Sequence, residues 1–210
     1  MVGERSSLQS GTEIMAFTIR GAVIAVSLAL LATVASQLFY IGVVAELDDG
    51  TFLRKVTWTT EMAMFSLVAI AALPLASRST VPLVWAAIAI SGIMNVIQVG
   101  IGLAEFGPAR EAADEAVFQS VLGGAFFLYF HAKALIGMAA IGLGLSALAH
   151  GTLGKVLGGL SILAGAAAAV LNLLAMANGM EVMFPAGASG TAATALFALT
   201  ALLVVKGEAG

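Results

Sequence analysis

Six long apolar runs, separated by short polar intervals, make up most of the chain. They cover 21–45, 57–76, 81–103, 120–148, 156–177 and 188–205. A helix that crosses the hydrocarbon layer needs roughly 20 predominantly apolar residues, and each run is close to that length or above it. The pattern predicts an all-α, polytopic membrane protein built as a bundle of six transmembrane helices. Residues 15–206 then form one transmembrane domain, 1–14 a polar N-terminal tail and 207–210 a short C-terminal tail. The polar intervals are uneven. Those at 77–80 and 150–155 are short, whereas 47–56, 105–119 and 178–189 are longer and carry the break signals Asp49-Gly50, Gly107-Pro108 and Pro185-Ala186-Gly187. Ala109–Val117 is helix-prone and is expected to extend the fourth span outward.

Polar residues interrupt these runs at one depth. Gln37 lies 17 positions beyond Arg20, Glu61 lies 15 from Ala76, Asn95 and Gln98 lie 14 and 17 beyond Val81, and Asn172 lies 17 beyond Lys155. His131 and Lys133 lie 18 and 16 from Ala149. At a rise of about 1.5 Å per residue, all fall about 21–27 Å from the same surface, in one third of a core about 30 Å thick. Tyr40 and Thr191 fit the same layer. Polar groups inside hydrocarbon are costly, face the bundle interior and mark functional sites. The candidate ligand-binding set is therefore Gln37, Tyr40, Glu61, Asn95, Gln98, His131, Lys133 and Asn172.

Helical phase divides this set. His131 and Lys133 are two apart and point about 200° away from each other. Lys133 shares its face with Tyr129, Phe130 and Gly137, while Asn95 and Gln98 share a face at i,i+3. Glu61 and Lys133 are the oppositely charged pair at this depth. An unpaired charge there costs several kcal/mol or neutralises, so the two are expected to approach each other directly, through Gln98 or Asn95, or through a bound headgroup. The alternative is that Lys133 snorkels to the nearer interface and Glu61 is interfacial. His131 reads as a hydrogen-bonded structural histidine.

Composition narrows the chemistry. The 210 residues are 60% hydrophobic and 10% charged, with mean hydropathy +1.06. That is too little charge to coat a soluble surface. The absence of cysteine excludes disulfides, thiolate metal sites and thiol redox chemistry. A net charge of −3 without a basic cluster argues against nucleic acid as a partner. Met176, Met180 and Met183 gather near one end. Thioethers suit Cu(I), but methionine is also ordinary filling between apolar helices, and no metal site is assigned. No cofactor is named by any motif. P-loop, H-E-x-x-H, G-x-S-x-G and dinucleotide fingerprints are absent. A retinal lysine is also disfavoured, because Lys133 is on the fourth of six spans and not on a terminal one.

Met15 begins a segment that mimics a signal peptide, with Ala35-Ser36-Gln37 as a cleavage site. The apolar run continues through Val44, too long for a signal core, and reads as an uncleaved first helix. Small residues mark contact faces. Gly154 and Gly158 form a GxxxG spacing opposite Gly137, Gly142, Gly144 and Ser146, which predicts a tight antiparallel hairpin of spans four and five. Trp58 and Trp85 are placed as interfacial aromatics at opposite ends.

Three functions fit. The first is binding or transport of a small amphiphile (a lipid, quinone or isoprenoid) in an outer-leaflet polar pocket. The second is an accessory or structural subunit of a larger membrane complex, with a membrane-protein partner or a second copy on the small-residue faces. The third is an intramembrane enzyme with Glu61 and His131 as acid and base. The location expected throughout is a bacterial inner membrane.

Both termini fall on one side if all six runs cross. Five basic residues (Arg5, Arg20, Arg78, Lys155, Lys206) lie on that side, against three (Arg54, Lys55, Arg110) on the other. The bias puts the termini in the cytoplasm. Cysteine placed at Asp49 is expected to react with an impermeant reagent on intact cells, and cysteine at Ser79 to stay protected. The reverse pattern overturns the orientation.

Overall fold

A computed structural model describes residues 18–207. The tail at 1–14 with Arg5, and residues 208–210, lie outside the described residues. Six α-helices follow one another: α1 (Ile19–Gly42), α2 (Thr51–Arg78), α3 (Pro82–Glu111), α4 (Glu115–Ala147), α5 (Gly151–Asn178) and α6 (Met183–Gly207). Short 3-10 turns at Val44–Glu46 and Gly179–Val182 follow α1 and α5. Among the described residues, five helical stretches are long and apolar enough to cross a membrane. The last, Gly151–Val205, runs through its 3-10 turn and takes in both α5 and most of α6.

Helices successive in the chain run antiparallel. The Ser161 and Thr200 hydroxyls bond at 2.8 Å, and Asn172 Nδ2 donates to the Ala186 carbonyl at 3.0 Å. These two ties fold α6 back along α5. Helices α1, α2, α3, α4 and α6 close a ring, each packed on the next and α6 on α1, while α5 lies outside against α4 and α6. The apolar interior is rich in small residues: Ala22, Ala72, Ala140, Ala168 and Ala198 are all buried. Many large apolar side chains also point outward, with Leu83 84% and Phe184 81% exposed, although others such as Phe65, Phe197 and Ile88 are buried. Water would penalise such a surface, whereas lipid does not. This inside-out distribution suggests a membrane-embedded protein.

The α4–α5 seam is built on reciprocal glycines. A β-carbon at Gly137 would sit 2.6 Å from the Gly165 carbonyl, and one at Gly144 2.7 Å from that of Gly158. One at Gly158 would in turn meet the Gly144 carbonyl at 2.6 Å, and one at Gly154 would strike that of Ala147. The expected hairpin is therefore present. Its period is wider than GxxxG, because Gly137 and Gly144, like Gly158 and Gly165, are seven apart. That is the spacing of a left-handed seam.

Several boundaries differ from expectation. The 105–119 loop shrinks to 112–114, because α3 continues through Pro108 to Glu111. The Ala109–Val117 segment does not extend α4 as a unit. Ala113 takes φ 53°, and the Asp114 carboxylate restarts the chain by accepting from Ala116 N–H at 2.9 Å. Pro185 begins no loop either. It lies in the first turn of α6, where backbone N–H groups have no helical partner to lose. Trp85 is not an interfacial anchor but 3% exposed, edge-on to Phe197 at 5.6 Å.

Gly158→Leu is expected to destabilise the bundle by about 1–3 kcal/mol through overpacking. Its neighbour Gly159 has open space around it, so Gly159→Leu leaves melting in detergent unchanged. Equal melting temperatures for the two variants would mean the seam tolerates separation.

Candidate functional site

Lys133 is the centre of the interior. Its side chain is completely buried, and its stem lies across Gly190 of α6. A β-carbon at Gly190 would come within 2.9 Å of Lys133 Cβ, Cγ and Cδ. The absence of a side chain there lets α6 approach the lysine. Long helical side chains lean toward the N-terminus of their own helix, and that carries Nζ one turn back, over the ring of Tyr129 at 5.4 Å from its centroid. There Nζ donates to Gln37 Oε1 of α1 at 3.2 Å. Thr191 Oγ1 of α6 donates to the same oxygen at 3.0 Å. An ammonium has no acceptor, so the amide oxygen is the atom of Gln37 that must face it. One glutamine thus joins α1, α4 and α6.

Glu61 of α2 enters the same interior and is 7% exposed. Its carboxylate lies toward Ser36, and it shares a Coulombic interaction with Lys133. The hydrogen-bonding partner of Lys133 is nevertheless the amide of Gln37, not the carboxylate, and neither Gln98 nor Asn95 is the intermediary. The Tyr129 hydroxyl lies toward Thr191 and Gln37, above Gly187, where a β-carbon would come within 3.3 Å of it. The assembled cluster is Ser36, Gln37, Glu61, Tyr129, Lys133 and Thr191.

Other members of the expected layer stand apart. Asn95 is buried within α3, its amide donating to Ser91 O at 2.9 Å, and its Oδ1 is buried without a hydrogen-bond partner among the described residues. Asn172 spends its amide on Ala168 O and Ala186 O, tying α5 to α6, and its Oδ1 is likewise unpartnered. Gln98 is half-buried on α3. Tyr40 stacks on Trp58 at 5.9 Å, and Trp58 meets Phe106 edge-on at 5.8 Å. Tyr40 therefore belongs to an aromatic row nearer the end of the bundle. His131 is half-buried beside Phe127, with ring centroids 6.5 Å apart. It makes no hydrogen bond among the described residues, in contrast to the structural role expected for it. No group of three His, Cys, Asp or Glu gathers as a metal site among the described residues.

Tyr129 was legible as a same-face neighbour of Lys133 four residues away, but its place in the cluster depends on α6. Ser36 gave no signal, because a serine in an apolar run is ordinary.

Two clefts open nearby. One, of about 120 Å³, is lined by Gly123, Phe126, Phe127, Phe130, Ala175, Met176, Gly179 and Met180, between α4 and the end of α5. The other, of about 600 Å³, is a shallow groove along the outer face of α2 from Phe52 to Met64. Neither is lined by Gln37, Glu61 or Lys133.

Removing one charge of the cluster strands the other. Glu61→Gln and Lys133→Met are each expected to cost about 3–5 kcal/mol, and the double variant less than either. A thermal-denaturation double-mutant cycle measures this. Small, additive effects would mean the two charges act independently.

No family model matches this chain, and comparisons with curated proteins and with solved structures return no match.

Proposed function

We propose that this is a six-span protein of a bacterial inner membrane, with both ends of the described chain cytoplasmic, that binds or transports a small amphiphile through the Lys133 cluster. The six spans follow from counting the Gly151–Val205 hairpin as two crossings. The observation that carries the functional reading is the state of the Lys133 ammonium. It has three N–H donors, is wholly buried, and has one hydrogen bond among the described residues, to Gln37. The remaining donors suit an acceptor oxygen on the polar end of a ligand. An apolar bundle with one compact polar cluster is matched to a molecule that is itself mostly apolar.

A second reading has its own support. The cluster crosslinks α1, α4 and α6, and neither cleft reaches Gln37, Glu61 or Lys133. This favours an accessory subunit in which the polar groups fix helix register. The enzyme reading loses its base, because His131 packs beside Phe127 outside the cluster.

Mass spectrometry of protein purified in nanodiscs decides between the first two. The expected result is a co-purifying amphiphile with wild type that is lost with Lys133→Met and with Gln37→Leu. An unchanged lipid profile across the three proteins, with a stable hetero-complex, would replace the binding reading by the accessory one.

A further inference from the structure

The polar cluster has a roof at one end of the bundle. On α1, Tyr40 lies three and four residues beyond Gln37 and Ser36; on α2, Trp58 lies three residues before Glu61. Because α1 and α2 run antiparallel, both steps lead toward the same end. Residues at this spacing share a helix face, and three residues rise about 4.5 Å. The two rings meet between α1 and α2 with centroids 5.9 Å apart. They stand one turn above Gln37 and Glu61, between these groups and the end of the bundle.

The frame around the rings is tighter than their own seating. Val44 is completely buried in the turn after α1, and a β-carbon at Gly50 would come within 2.8 Å of the Val44 carbonyl. Trp58 instead lies on bare backbone at Gly102 of α3, where a β-carbon would come within 3.1 Å of the indole. Phe106 meets it edge-on at 5.8 Å, and both Trp58 and Tyr40 are only half-buried. Rotation of the rings, not displacement of the helices, is the motion this frame leaves open. Spare donors stand on both sides of the pair. Below it, Lys133 uses one of its three N–H groups on Gln37. Above it, Arg54 shares a face of α2 with Trp58, four residues away, and its Nε is buried without a hydrogen-bond partner among the described residues. Buried donors left unbonded are costly, and an acceptor oxygen on an incoming polar end would satisfy each in turn.

We propose that Tyr40 and Trp58 form a side-chain gate over the Lys133 cluster, and that the polar end of the ligand enters past them from the headgroup region. This rests on the amphiphile reading above and adds its route and its control. Aromatic side chains with a polar tip suit headgroup depth. An end-on route lets the polar end pass from Arg54 to Lys133 without crossing hydrocarbon. A sideways route between helices would carry it through the apolar layer unpaired.

The chain has no cysteine, so one introduced thiol reports on one place. Ser36→Cys puts it beneath the gate, Asp49→Cys in the exposed loop, and Ser161→Cys at the buried α5–α6 tie. Full-length protein in nanodiscs is labelled with a charged, water-soluble methanethiosulfonate and, separately, with an apolar maleimide. Ser36→Cys is expected to react with the charged reagent far more slowly than Asp49→Cys. Trp58→Ala, and independently Tyr40→Leu, should raise that rate roughly ten-fold, the population change that follows loss of one to two ring contacts. Ser161→Cys should stay unreactive in both backgrounds. Acceleration at Ser161 in both would show general loosening and overturn the gate. So would a Ser36→Cys rate that neither substitution changes. Fast labelling by the apolar maleimide alone, indifferent to Trp58, would replace the end-on route by a lateral one. None of these outcomes decides the amphiphile reading, which falls only if ligand retention is independent of Lys133 and Gln37.

Discussion

The cost of keeping the Lys133 ammonium away from water governs the interior of this bundle. Moving such an ion out of water carries an effective penalty of several kcal/mol even after relaxation. Three neighbours offset it. Gln37 presents its oxygen, the Tyr129 ring lies below the ammonium, and Glu61 supplies the opposite charge. Each comes from a different part of the chain except Tyr129, which shares α4 with the lysine. A cation over a ring contributes about 2 kcal/mol or more when both are desolvated. The helices around Lys133 are therefore held in register by a requirement none of them has alone.

Backbone approach makes that arrangement possible. Gly190 gives the lysine stem its bed on α6, and Gly187 leaves room for the Tyr129 hydroxyl. Further along the same face of α4, Gly137 and Gly144 bring α5 to backbone contact. In lipid there is no hydrophobic drive between helices, so close van der Waals contact between small residues does that work. That face of α4 is thereby fixed by polar contact around Lys133 and by close apolar contact from Gly137 onward. The same helix thus carries the buried Lys133 and the glycines that meet α5.

The sequence revealed the helices well because lipid-facing runs have to be apolar throughout. Helical rise converts residue number into distance along a helix, which is how the polar positions are grouped. The sequence did not reveal which members of the layer meet. Gln37, Lys133 and Thr191 come from α1, α4 and α6, and their convergence depends on ring order, which no local pattern encodes. Asn95 and Asn172 look identical to Gln37 in hydropathy, yet their amides are spent on nearby backbone carbonyls. Loop lengths failed for a different reason. Pro108 and Pro185 carry break signals, but proline is tolerated in the first turn of a helix, where Pro185 lies, and α3 runs through Pro108 as well.

The placement of Glu61 in the same interior as Lys133 bears on what such a site can do. A lone buried lysine would hold an anion tightly and release it slowly, since each departure leaves an unpaired charge in a medium of low dielectric constant. With Glu61 in the same interior, a neutral ligand can arrive and leave without any change in net charge. The donors of Lys133 then return to Gln37 and the ring of Tyr129 rather than to nothing. The same groups that stabilise the closed bundle are thus suited to compete with a weakly accepting ligand. Under the proposed binding reading, that balance favours exchange over permanent retention.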